Sequence, residues 1–229
     1  MLKEPPLLTV RRAFERAPKD LVATFAKAQT GQIVDAMLGR GALDHTIKPI
    51  DPEKAHFAGT ALTVETGPSD NLAIIAALVL AQPGDVIITA SDGFTATAVV
   101  GDNVSWMAKN KGVAGIVIDG MARDRDGIVG VGLPVFARGI TSNSCVKSGP
   151  GRIGLPIVSG GVAVQAGDIV VGDRDGVVVV PRLEAAAIAA RLAEVLKAEA
   201  ETQAKIAGGM THPAWAAELL ASDKVEIID

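Results

Sequence analysis

Two charged residues, Arg123 and Asp124, close the stretch Val113-Ala114-Gly115-Ile116-Val117-Ile118-Asp119-Gly120-Met121-Ala122, and a second acid, Asp102, stands earlier in Gly101-Asp102-Asn103-Val104. These residue types in this order are those of a small metal-assisted active site. The apolar run Val113 to Ile118 predicts a buried strand, and in open α/β sheets ligands bind beyond the carboxyl ends of strands. A cation and a carboxylate emitted there are placed for chemistry. Each half alone has a plainer reading, the Arg-Asp pair as a solvated loop and Gly-Asp-Asn as a helix N-cap. The histidines, His45, His56 and His212, have none of the spacings that bind zinc, so the ligands available are carboxylates and water, which suit Mg²⁺ or Mn²⁺.

Elements that could position these residues follow from the hydropathy pattern. The first fifty residues read as helical, with an apolar stripe through Leu21, Val22, Phe25 and Ala26 and a second segment from Thr30 to Leu38 that Gly39 and Gly41 stop. Phe57 to Thr66 predicts a strand, Leu72 to Ala81 a buried helix broken at Pro83-Gly84, and Asp85 to Ala90 the next strand. A helix from Asn103 to Lys111, closed by Gly112, leads to the strand at Val113 to Ile118 and a short extended piece at Pro134 to Ala137. The sheet is therefore at least partly parallel. From Pro156 the Val-rich runs split by Gly-Gly, Ala-Gly-Asp and Gly-Asp-Arg-Asp-Gly read as antiparallel strands, and Leu183 to Ile206 as a long helix that packs on a neighbouring subunit.

A chain of 229 residues with 48% hydrophobic content suffices for one core, here taken as an α/β domain over residues 1–182 with a C-terminal helical extension over 183–229. The net charge of −4, the absence of Tyr and the dispersed Lys and Arg disfavour nucleic acid as a partner. No apolar run is long enough for a bilayer and the N-terminus lacks a signal-like pattern, so a cytoplasmic protein with no membrane partner is expected. The single Cys145 fits that reading and is expected to be a small hydrophobe. Lys109, Lys111 and Lys147 read as surface residues, which disfavours Schiff-base chemistry. Asp119 reads as a turn residue, and Asp173 and Asp175 as a hairpin turn.

The order Gly59-Thr60-Ala61-Leu62-Thr63-Val64, Pro83-Gly84-Asp85-Val86, Gly101-Asp102, Gly112 to Gly120 with Arg123-Asp124, and Ala166-Gly167-Asp168 to Asp173 with Asp175-Gly176-Val177 resembles the RraA-like family, over Thr30 to Arg182. That family includes class II 4-hydroxy-4-methyl-2-oxoglutarate/4-carboxy-4-hydroxy-2-oxoadipate aldolases. The resemblance implies a swivelling β/β/α sandwich with a mixed sheet, trimers or hexamers with sites between subunits, and a divalent metal. It also implies that Asp124 is a direct metal ligand, that Asp102 holds water on the metal, and that a Glu of the neighbour's C-terminal helix contributes. Glu199 is the nearest candidate, with Glu194 and Glu201 on the same helix.

Cleaving a 4-hydroxy-2-keto acid to pyruvate and a second keto acid needs a base for the C4 hydroxyl and a sink for the enolate charge. Metal and Arg123 would serve as sink, Asp102 as proton shuttle, and the amides at Gly101, Asn103, Val104 and Ser105 would hold the substrate carboxylate. Oxaloacetate decarboxylation shares the enolate and is expected as a side activity. The competing readings are a non-catalytic regulator of the ribonuclease E inhibitor type, against which the Arg123-Asp124 pair and the helical extension argue, and a sugar-acid lyase or keto-acid tautomerase using the same metal site. A menaquinone methyltransferase is disfavoured, because no Gly-rich nucleotide loop follows a strand here.

Overall fold

The computed structural model describes residues 4–228. The N-terminal part is less helical than its composition predicts. Strand β1 (Leu8–Val10) precedes two seven-residue helices, α1 (Lys19–Phe25) and α2 (Thr30–Ala36), and a two-residue strand β2 (Lys48–Pro49). Its apolar side chains are anchored individually instead: Phe25, Ile33 and Ile47 are buried, and Arg16 reaches Asp85 through Nε–Oδ1 at 2.8 Å and Nη2–Oδ2 at 2.9 Å. Tertiary contacts outweigh helix propensity in this stretch.

The central unit follows: β3 (Phe57–Thr66), α3 (Leu72–Leu80), β4 (Asp85–Ala90), β5 (Ala98–Val100), α4 (Asp102–Asn110) and β6 (Gly115–Asp119). Two-residue β7 (Met121–Ala122), helix α5 (Arg125–Val131), β8 (Val135–Ala137) and β9 (Gly139–Ile140) complete it. Strands β3, β4, β6 and β8 pair in parallel, as helical crossovers require, and β2 pairs antiparallel with β8. Four short strands then return over the sheet: β10 (Gly151–Ile153), β11 (Ile157–Ser159), β12 (Val162–Val164) and β13 (Ile169–Gly172), with β14 (Val177–Val180) paired antiparallel to β13. Both β10 and β13 pair antiparallel with β3, so the main sheet is mixed.

Alternation along the central strands fills two cores. Leu62, Val64, Ile87, Ile116 and Ile118 face a cluster closed by residues of α3, α4 and α5, while Ala61, Val86, Ile88 and Val117 face a second one closed by Ile157, Val164, Val170, Val177 and Val179. The expected β/β/α layering results. Both faces of β4 and β6 are covered, which is why these strands read as continuous apolar runs, each buried Ile or Val contributing roughly 1.5–3 kcal/mol.

Helix α6 (Ala185–Ala207) and helix α7 (Ala214–Leu220) end the chain. By contacts the chain divides inside α6, into Met1–Leu192 and Ala193–Asp229, because the first turns of that helix bury Ala185, Ile188 and Leu192. No described helix is long and apolar enough to cross a membrane.

Candidate active site

Arg123 and Asp124 do not leave β6 directly. The short strand β7 intervenes and pairs in parallel with β5 and β9 in a separate three-stranded sheet. This sheet is what joins the two halves of the sequence pattern: Val100 lies opposite Ala122, and Arg123 N–H donates to Val100 O at 3.0 Å. Gly101-Asp102 and Arg123-Asp124 are therefore emitted side by side from the carboxyl ends of two paired strands.

Two glycines permit the close approach that follows. A Cβ on Gly101 would meet Asp124 Oδ2 at 2.4 Å, and one on Gly127 would meet Asp102 Cβ at 2.7 Å, so the Asp124 carboxylate abuts the start of α4 and α5 packs against Asp102. Asp124 itself has φ 58° and ψ 48°, the left-handed conformation that Asp tolerates better than most residues. Such local strain is sustained by the surrounding contacts and clusters at functional sites. The Arg123 guanidinium donates to Ser144 Oγ and lies 3.3 Å from Asp124 Oδ2 through Nε.

Arg123 and Asp124 line one cleft of about 240 Å³, together with Asn71 and Ile75, Ala98 to Val104 (Asp102 among them), Met107, Cys145 and Lys147. The volume suits a ligand smaller than drug-sized. At the start of α4, Asn103 N–H donates to Asp102 Oδ1 at 2.6 Å and Ser105 N–H to Gly101 O at 3.1 Å. Of the amides of Asn103, Val104 and Ser105, expected to be open there, only Val104 N–H is without an acceptor among the described residues. The Asp102 carboxylate is steadied by its neighbour's amide instead.

Sequence reasoning missed the second wall of the cleft. Asn71 begins α3, and Cys145 and Lys147 come from a loop pinned by buried Asp70, whose Oδ1 accepts from Leu72 N–H at 2.8 Å and whose Oδ2 accepts from Ser148 N–H at 2.5 Å and Gly149 N–H at 2.9 Å. Lys147, expected as a surface residue, is exposed but lines the cleft. Only the apolar helix following Ser69-Asp70-Asn71 hinted at this wall. Cys145 packs against the helix-side core, and burial pushes its thiol pKa up, which keeps it protonated.

Asp119 is not a turn residue. It ends β6, is buried, and accepts from Arg138 Nε at 2.6 Å and Gly160 N–H at 3.1 Å, so its charge is consumed in holding the β11–β12 turn to the sheet. Asp173, in the hairpin turn, also accepts from Thr30 N–H at 2.7 Å and Thr30 Oγ1 at 2.9 Å, which ties α2 down. Glu199 lies in the Ala193–Asp229 unit, half-buried, with Oε1 accepting from Gln203 Nε2 at 3.2 Å. Among the described residues no group of three or more His, Cys, Asp or Glu side chains is placed to hold a metal ion.

A mixed sheet clad by helices on one face and short antiparallel strands on the other, with a cleft at paired strand ends that holds two carboxylates and two cations, defines an α/β protein of the layered β/β/α kind. Residues 30–179 match the family described as RraA-like: Aldolase/RraA, and the chain belongs to it. A relative in Halalkalibacterium halodurans, named "Putative 4-hydroxy-4-methyl-2-oxoglutarate aldolase", is 41% identical over 167 residues, covering 73% of this chain and 79% of that protein. A solved structure of an uncharacterized protein from Pseudomonas syringae pv. tomato superposes with a TM-score of 0.75 at 28% identity, over 86% of this chain and 97% of that one. Streptomyces coelicolor RraAS2, described as an unusual member of the RNase ES inhibitor RraA protein family, superposes with a TM-score of 0.74 at 28% identity, over 83% of this chain and 100% of that one.

Proposed function

We propose that the protein is a divalent-metal-dependent class II aldolase that cleaves a 4-hydroxy-2-keto acid, typically a diacid, to pyruvate and a second keto acid, and that it decarboxylates oxaloacetate as a side activity. The observation carrying this reading is the convergence of Arg123, Asp124 and Asp102 on one small cleft, brought about by the β5–β7 pairing and by Gly101. The name of the H. halodurans relative supports the same reaction class.

The donor set fits the implied metal. Two carboxylates are hard oxygen ligands, and Mg²⁺ or Mn²⁺ is commonly held by one or two carboxylates with water and substrate completing the shell. Asp124 would hold it directly, Asp102 through water, and Glu199 of a neighbouring copy would complete the site. The ion when bound supplies a Lewis acid at the substrate's C1 carboxylate and C2 carbonyl.

The chain's own residues account for the remaining steps. Arg123, fixed by Ser144 and Asp124, donates to the C2 oxygen as negative charge develops there on breaking the C3–C4 bond. Asp102, directly or through a water, takes the C4 hydroxyl proton as the C3–C4 bond breaks and the second keto acid leaves, and by the same route a proton returns to C3 of the enolate to give pyruvate, while Val104 N–H donates to the substrate carboxylate. Lys147 places a second positive charge on the cleft wall for the distal carboxylate of a diacid.

The likeness to RraAS2 favours one alternative, a non-catalytic binding protein that acts by masking a partner. A pyruvate-release assay over a panel of 4-hydroxy-2-keto acids and oxaloacetate separates the two. Turnover with Mg²⁺ or Mn²⁺ that EDTA abolishes, and that Asp124→Ala nearly eliminates, is expected; full activity in EDTA sinks the metal mechanism, and no turnover of any substrate sinks the aldolase.

A further inference from the structure

Helices α3 and α4 both begin at the cleft and run away from it. Asn71 and Ile75 from the start of the first, and Asp102 to Val104 and Met107 from the second, line the cleft, while residues further along each helix line an adjoining groove of about 580 Å³. Ile75 and Met107 belong to both. Leu78 and Val79 follow Ile75 at i+3 and i+4, and Asn110 and Lys111 follow Met107 at the same spacing, so each helix turns one stripe into the groove. Leu78 is buried against the helix-side core, whereas Val79 and Met107 are 79% and 42% exposed and open to a ligand entering from the cleft. The four residues from Ile75 to Val79 rise about 6 Å, roughly the length of four or five carbon atoms in an extended chain.

In the proposed reaction the substrate's C4 is tetrahedral and carries four groups. C3 leads to the end held at Asp124 and Arg123, the hydroxyl faces Asp102, and the carboxylate is directed to Lys147. The fourth substituent is left with the uncharged wall, Ile75 and Met107, which opens into the groove. We infer that the site takes 4-hydroxy-2-keto acids whose fourth C4 substituent is an apolar chain of about four carbons, laid between α3 and α4 past Ile75 and Met107 to Val79. This rests on the proposed reading of the cleft as an aldolase site, and it makes the groove the determinant of chain length. Continuity with the cleft favours its substrate over a neighbouring chain as the occupant.

The test is calorimetric titration of the full-length protein, with Mg²⁺ present, by 2-alkylmalates. These carry a hydroxyl, a carboxylate, a carboxymethyl arm and a variable alkyl chain on one carbon, and with no keto group as electron sink they are not cleaved. Each CH₂ laid in a groove open on one side is worth about twofold, less than the roughly fourfold of full burial, so 2-butylmalate should bind about tenfold more tightly than 2-methylmalate. Lengthening the chain to octyl should add little, because it outruns the groove. Val79→Asp and Val79→Asn, at an exposed position on which the core does not depend, should bring the butyl-to-methyl ratio close to one. The ratio is internal to each protein, so partial unfolding does not mimic the result, and either variant that folds suffices. Equal affinities in wild type, as a neighbouring chain lying in the groove would give, overturn the assignment. So do binding of neither acid, a steady rise through octyl, and a butyl preference that survives in a folded variant. Failure of the aldolase reading looks different: butyl selectivity that depends on Val79, with no pyruvate release from any keto acid.

Discussion

Arg123 is held from three sides, by its own N–H on Val100 O, by Ser144 Oγ and by the Asp124 carboxylate, so its guanidinium is oriented before substrate arrives. Preorganised donors of this kind act on charge that develops in the transition state, and removing one typically costs 10²–10³-fold in kcat. Arg123→Ala should therefore lower kcat by roughly 10²-fold or more for both aldol cleavage and oxaloacetate decarboxylation, since both pass through an enolate. Asp102→Asn should behave differently. Decarboxylation has no hydroxyl proton to remove, so the Asp102 variant is expected to lose far more aldol cleavage than decarboxylation, in side-by-side steady-state assays. Decarboxylation untouched by Arg123→Ala but abolished by Asp102→Asn would reverse the two roles.

Between the residue and the fold stand small elements, and they decide how much of the site a sequence can display. Strands β3 and β4 are readable because β4 is buried at every position and β3 at all but Ala58 and Glu65, so nearly every residue type is constrained. The pairing of β5 with β7 is not, since three residues and two residues carry no periodicity, and that pairing is what brings Asp102 to Arg123 and Asp124. Those three were legible as a set only through motif order, whereas Asn71 and Lys147 were not legible as cleft residues: a buried aspartate joins their segments, and its role is invisible without the loop it clamps. Asp70→Ala tests this. Leu72, Ser148 and Gly149 N–H would lose their acceptor, a part-buried hydrogen bond to a charged group being worth about 1.5–3 kcal/mol. The melting temperature should fall and amide hydrogen exchange quicken across residues 141–149. A more than tenfold rise in KM is expected to accompany this, as Ser144 and Lys147 lose their setting. A destabilised variant with unchanged KM would show that the loop takes no part in the site.

At the scale of the molecule, Leu196, Ile206, Trp215, Leu219 and Leu220 of the Ala193–Asp229 unit are exposed large apolar side chains, and clustered exposed apolar surface marks interaction sites. Covering by another copy of the chain is the expected resolution, as a trimer or a dimer of trimers, and sedimentation at micromolar concentration should show it. Closed rotational symmetry makes each contact identical, so if Glu199 serves the neighbour's cleft, every site draws on two chains. Complementation then follows. Arg123→Ala and Glu199→Ala homo-oligomers are each expected to be inactive. Mixing them after dissociation creates sites in which an intact cleft from the Glu199→Ala chain meets an intact Glu199 from the Arg123→Ala chain. For random reassembly at equal amounts such sites are about one quarter of the total, so activity should return to roughly that fraction of wild type. No recovery on verified co-assembly would place Glu199 in its own chain's site or in none, and full activity of Glu199→Ala alone would hand the role to Glu194 or Glu201.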